Sequence, residues 1–167
     1  MSALVIDAFE FCRLKERLEG ETPVLDLKRL AAECVNPSGA LQWSVVGGLN
    51  PLGYPQLTLS VAAAVPLICQ RCVAPFDFDF ASQSIVVLAK SEEQADEIDD
   101  AIADDTIDVI VGSRTMNVME LIEDESLLAL PLAPKHDVCP GTPLIDEVKP
   151  DSKPSPFAVL KNIKQKS

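Results

Sequence analysis

Two half-sites carry the residue types from which a metal centre is built, Cys69-Gln70-Arg71-Cys72 and His136-Asp137-Val138-Cys139. Two residues between ligands let a tight turn present both side chains to one ion, and tetrahedral zinc takes this mixture of thiolate and imidazole. Cys69, Cys72, His136 and Cys139 make a full set of four. With 63 residues between Cys72 and His136, such an ion ties a strand turn to a segment far downstream. A closed set leaves no position for a substrate water, so the expected role of zinc is that of a structural staple. Two other readings of the Cys-x-x-Cys remain open, reduced structural thiols or a redox dithiol. The redox reading needs a helix N-terminus to lower a thiol pKa, whereas Cys69 and Cys72 lie between Pro66 and Pro75 in strand-like sequence. Cys34 falls on an apolar stripe and Cys12 lies beside Phe11, and both read as core thiols.

Catalytic toolkits find no footing. The chain has one histidine, no GxxxxGK[ST] or GxGxxG run to cradle phosphate, no GxSxG elbow and no HExxH. The protein is read as a non-enzyme, and no small-molecule substrate is expected.

Charge narrows the partners. Lys and Arg total 14 against 26 Asp and Glu, and the net charge of −12 opposes broad adhesion to nucleic acid or an anionic membrane. Residues 91–130 alone carry 13 acids and 1 base. Without them the remainder is neutral. A phosphate partner must therefore meet a local group of cations. The candidates are Arg13, Lys15 and Arg17 on a first helix, Lys28 and Arg29 on a second, Arg71 inside the Cys-x-x-Cys, and Lys161, Lys164 and Lys166 near the C-terminus. Arg13 and Arg17 share a helix face in this reading, yet Glu10, Glu16 and Glu19 lie within pairing distance of them. The acidic run Glu92 to Asp108 reads as a solvated loop, with a basic protein as its alternative partner. The N-terminal stretch interleaves acids with apolar residues, unlike a secretory leader. The most apolar run, Val61 to Cys69, is far short of the roughly 20 residues that span a bilayer. With 5 scattered cysteines, a cytoplasmic protein with no membrane partner is expected.

The elements that must position these residues follow from periodicity. Asp7 with Glu10 marks the capped start of one helix, and Thr22 with Pro23 opens a second that places Leu27, Leu30, Ala31 and Cys34 on one stripe. The period then changes to two, through Leu41, Trp43 and Val45 and again through Leu57, Leu59, Val61 and Ala63, with turn residues Gly47 to Gly53 between them. Phe76, Phe78 and Phe80 alternate with acids, a buried sheet face rather than a base-stacking platform. A third helix is capped by Asn117, carries Glu120 at the box position and ends at Pro131. Val118, Leu121, Ile122, Leu128 and Ala129 share one arc, and Glu125 sits in its middle, a buried ion-pair candidate. The fold class is α+β: two short N-terminal helices, an antiparallel sheet of four to five strands, one capped amphipathic helix and a proline-rich C-terminal tail. Residues 1–139 form the single α+β domain with an acidic loop at 91–106, and 140–167 an extended tail with a short docking helix beginning near Pro156.

CQRC followed by Pro75 and Phe76, then IEDESLLALPLAPKH, Cys139 and a late SPFAVLKNIK form an ordered set over residues 7–164 that resembles the YceD family of large ribosomal RNA subunit accumulation proteins. The resemblance implies a role in accumulation or processing of the large-subunit (23S) ribosomal RNA in bacteria. The partners are then that RNA precursor or its assembly proteins, with Arg13, Arg17, Lys28, Arg29, Arg71 and Phe157 as contact candidates. In Gram-positive relatives a second Cys-x-x-Cys follows the third helix. Here Cys139 is followed by Pro140, Gly141 and Thr142, which leaves His136 as the substitute ligand. Arg71 is expected either to face RNA or to pair with Glu125. The alternative function is a zinc-stapled adaptor whose acidic loop binds a basic protein without contacting RNA.

Overall fold

Local chemistry sets the first helix, α1 (Ala8–Leu14): the Asp7 carboxylate accepts the Phe9 and Glu10 N–H groups, and Lys15 in the left-handed region closes it. This computed structural model describes residues 4–141. A short strand β1 (Val5–Ile6) precedes α1, and the chain leaves it as β2 (Arg17–Pro23). Arg17 therefore lies on a strand, not on the helix face expected to carry it with Arg13. Pro23 ends β2 instead of starting a helix, and a 3-10 turn (Val24–Asp26) leads into α2 (Lys28–Glu33).

Strands β3 (Ala40–Leu49), β4 (Pro55–Ile68) and β5 (Pro75–Ala89) form a long antiparallel meander, flanked by β2 on one side and β6 (Ile107–Val111) on the other. The sheet expected to be antiparallel is mixed, because β6 runs parallel to β5. Parallel neighbours cannot be joined by a tight turn and need a crossover of about a dozen residues. The acidic run supplies it. Expected as a loop at 91–106, it folds as helix α3 (Glu92–Ile102), capped by the Ser91 hydroxyl and buried through Ala95 and Ile98. A short β7 (Met116–Asn117) pairs with β1 and leads into α4 (Val118–Ala129).

Side-chain alternation splits the sheet into two faces. Leu41, Val45, Leu57, Leu59, Val61, Val65 and Phe80 turn into one core with Phe11, Leu30, Val118 and Ile122 of helices α1, α2 and α4. Val87 and Ala89, of opposite parity, meet Ala95 and Ile98 of α3 on the other face. Phe76 and Phe78 pack against the first core as their alternation predicts. Helix α1 rides close to the sheet at Gly47, where a Cβ would come within 2.6 Å of the Phe11 carbonyl oxygen. Among the described residues no helix is long and apolar enough to cross a membrane. The docking segment near Pro156, with Phe157, Lys161, Lys164 and Lys166, lies outside the described residues.

Candidate metal centre

The end of β4 and the start of β5 are joined by a knuckle. The Cys69 N–H donates to the Ala74 carbonyl at 2.9 Å and the Val73 N–H to the Cys69 carbonyl at 2.8 Å, with Val73 in the left-handed region at φ 60°. This closure turns the Cys69 and Cys72 side chains to the same side. A third backbone bond, from the Gln70 N–H to the Pro134 carbonyl at 2.8 Å, brings in the segment that follows α4. His136 stacks obliquely on Phe76, ring centroids 4.6 Å apart, and its Nδ1 lies 3.4 Å from Cys72 Sγ.

The donor atoms of Cys69, Cys72, His136 and Cys139 all lie within 4.8 Å of one another, and Cys69 and Cys139 are buried. The set can hold a metal ion. Burial pushes the Cys69 thiol up, but N–H groups of Cys72, His136 and Arg71 aimed at the sulfur, with the His136 side chain, outweigh it and bring the thiol down to about 5. A sulfur poised as thiolate is what a metal requires. Cys12 and Cys34 differ: both thiols are pushed up by burial, and each donates to a carbonyl, Gln56 and Leu30 respectively. They sit as core thiols, as the apolar stripe of Cys34 and the place of Cys12 beside Phe11 predict.

The acids of α4 have specific duties. Glu125 is buried and accepts hydrogen bonds from the Ser82 and Ser84 hydroxyls at 2.5 and 2.6 Å, both on the core face of β5. The expected Arg71–Glu125 pair is absent from the ion pairs of the described residues, and Arg71 stands exposed on the knuckle. Glu123 is buried as well: it accepts the Arg29 and Leu30 N–H groups at the start of α2 and pairs with the Arg29 guanidinium. The buried side of α4 is thus rotated toward Glu123 and Ser126, which leaves Leu128 77% exposed despite its place in the expected arc.

Of the cations proposed for RNA, three are engaged: Arg13 with Glu10, Arg17 with Glu19, and Arg29 with Glu123 and Asp124. Lys28 and Arg71 are exposed and outside these pairs. Lys135, which sequence reading did not single out, is likewise exposed and lies beside His136.

Residues 57–164 match the family described as Large ribosomal RNA subunit accumulation protein YceD, and that span contains all four donors and Glu123 to Glu125. A protein of Haemophilus influenzae named Large ribosomal RNA subunit accumulation protein YceD is 27% identical over 170 residues, covering 98% of this chain and 96% of that protein. No solved structure matches the chain. With the family match extending over well more than half of its length, the chain belongs to the YceD family.

Proposed function

We propose that the protein is a non-enzymatic, cytoplasmic factor that promotes accumulation or processing of the large-subunit ribosomal RNA, and that Cys69, Cys72, His136 and Cys139 hold a structural zinc ion. One observation carries the reading: the family-matched span 57–164 is the part of the chain that contains the whole donor set. The chemistry of the donors fits zinc. Three sulfurs and one imidazole are a common structural set, and bonds of about 2.3 and 2.0 Å at a tetrahedral angle put S and N about 3.5 Å apart. The Cys72 Sγ to His136 Nδ1 separation is 3.4 Å. The ion supplies rigidity at the knuckle; the residues around it, Arg71 foremost, do the recognising.

In cells lacking the protein, mature 23S RNA should fall relative to 16S RNA, and protein purified from cells should carry zinc and ribosomal RNA in the same sample. An unchanged ratio with no RNA recovered overturns the reading. The adaptor alternative draws support from α3, which presents Glu92, Glu93, Asp96, Glu97, Asp99 and Asp100 exposed on a helix. It predicts that neutralising these acids abolishes association with ribosomal particles while RNA affinity is nil.

A further inference from the structure

The metal end of the fold contains a small cavity of about 170 Å³ that the centre does not use, walled by Glu33 at the end of α2, Ile68 at the end of β4, Gln70 of the knuckle, and Leu130, Leu132 and Pro134 after α4. We propose that it is a nucleobase pocket for single-stranded RNA that selects guanine through Glu33. The inference rests on the RNA reading above and adds the site and the base.

Size, chemistry and charge converge on this occupant. The volume admits one purine base, and Leu130, Leu132 and Pro134 offer apolar surface to its flat faces, as single-stranded recognition requires. Leu132 is fully exposed, an arrangement unexplained by core packing. Guanine alone among the bases presents two adjacent donors, N1–H and the N2 amino group, on its pairing edge. A carboxylate accepts both in parallel, a charge-assisted pair that the other bases cannot reproduce. Glu33 is exposed and takes no part in the ion pairs of the described residues. Phosphates flanking the base need cations. Arg71 and Lys135 each directly follow a wall residue, Gln70 and Pro134, and these two are joined by a 2.8 Å backbone hydrogen bond, so two exposed cations lie one residue along the chain from the wall. A wider groove of about 740 Å³ across β2 to β5 is lined by Glu19 and Glu21 and by no cation, and so repels the same ligand.

The test is fluorescence anisotropy of the full-length protein with a short oligouridine, with the same strand carrying one central guanosine, and with inosine in its place. The guanosine strand should bind about tenfold more tightly than oligouridine, with inosine, which lacks the N2 amino group, between them. Glu33→Gln should erase the preference. Arg71→Ala and Lys135→Ala should weaken both strands alike and each lower the salt slope by about 0.7. All three residues are exposed, so the variants keep the fold, checked by far-ultraviolet circular dichroism; Asp79→Asn, exposed on β5, serves as the neutral control. If both strands bind with equal affinity, or Glu33→Gln keeps the discrimination, the pocket inference is overturned while the RNA reading stands. If neither strand nor a 23S fragment binds, both fall together.

Discussion

Glu123 of α4 caps a helix that is not its own: its carboxylate accepts the Arg29 N–H at 2.7 Å and the Leu30 N–H at 3.2 Å, at the first turn of α2. Leu27, the residue in the cap position, has no side chain able to do this. The same carboxylate takes the Arg29 guanidinium at 3.0 Å, and Asp124 takes its other arm at 2.5 Å. Two distant helices are thereby set in register by one residue, and Arg29 is committed to the fold rather than to RNA.

Removing that cap should be expensive. Glu123→Ala leaves the buried Leu30 N–H and the part-buried Arg29 N–H without an acceptor and is expected to lower stability by about 2–4 kcal/mol in urea titrations. Asp124→Ala touches only the half-exposed arm of Arg29 and should lose less than about 1 kcal/mol. Equal losses in the two variants would mean that the cap contributes nothing beyond an ordinary surface pair.

Glu125 is the second buried acid, and its partners are hydroxyls. Ser84→Ala should destabilise by about 1–3 kcal/mol, because one of the two serine hydrogen bonds to the buried Glu125 carboxylate disappears. Arg71→Ala should stay within about 0.5 kcal/mol of the parent, as befits an exposed side chain outside the ion pairs. The charge-swapped pair Arg71→Glu with Glu125→Arg should show no mutual rescue in thermal melts. Rescue would restore the pairing expected from the sequence alone.

What the sequence disclosed was governed by local rules. Asp7 and Asn117 announced their helices because a cap is a property of a few adjacent residues, and Phe76, Phe78 and Phe80 declared a buried strand face through alternation. The clustering of Cys69, Cys72, His136 and Cys139 was legible because metal coordination imposes residue type and spacing together. Glu123 was not legible, since its role is fixed by a helix 94 residues away, and wheel geometry points it away from the apolar arc without saying what lies opposite. The acidic run misled through composition. Its charges mask Ala95, Ile98 and Ile102 at helical spacing, and the Ser91 hydroxyl that accepts the Gln94 N–H stands at the edge of the same run. Parallel pairing of β6 with β5 then follows from that crossover helix and could not be read before it.

Metal removal gives the next prediction. Chelation should lower the melting temperature and expose Cys72 and Cys139 to alkylation, and Cys72→Ser or His136→Ala should each cut zinc affinity at least about tenfold. In the metal-free fold the Cys69 thiol is held at about 5 against an ordinary value of 9.0. A lowered folded pKa means that thiolate stabilisation is full above about pH 9, declines as pH falls across that interval, and is gone below about pH 5. Metal-free protein should therefore weaken on acidification through this window, whereas bound zinc should be released only as protons displace it from the sulfurs near its lower end. A pH-independent midpoint between 5 and 9 for metal-free protein would contradict the thiolate assignment.

Val73 closes the knuckle with a positive φ of 60° that a β-branched side chain adopts at a disadvantage of about 1–2 kcal/mol, and its side chain, 75% exposed, recovers none of this through burial. Val73→Gly removes the clash but enlarges the conformational freedom of the unfolded chain, so the net gain in stability should be about 0.5–1 kcal/mol. Zinc stoichiometry should be unchanged, because the two bonds that close the turn, from Cys69 N–H and from Val73 N–H, belong to the backbone. Val73→Pro separates the two effects: it forbids the left-handed conformation and deletes the second of those donors, so the knuckle should open and zinc should be lost. Retention of zinc by the proline variant, measured on protein shown to be folded, would mean that the turn geometry does not position Cys69 and Cys72.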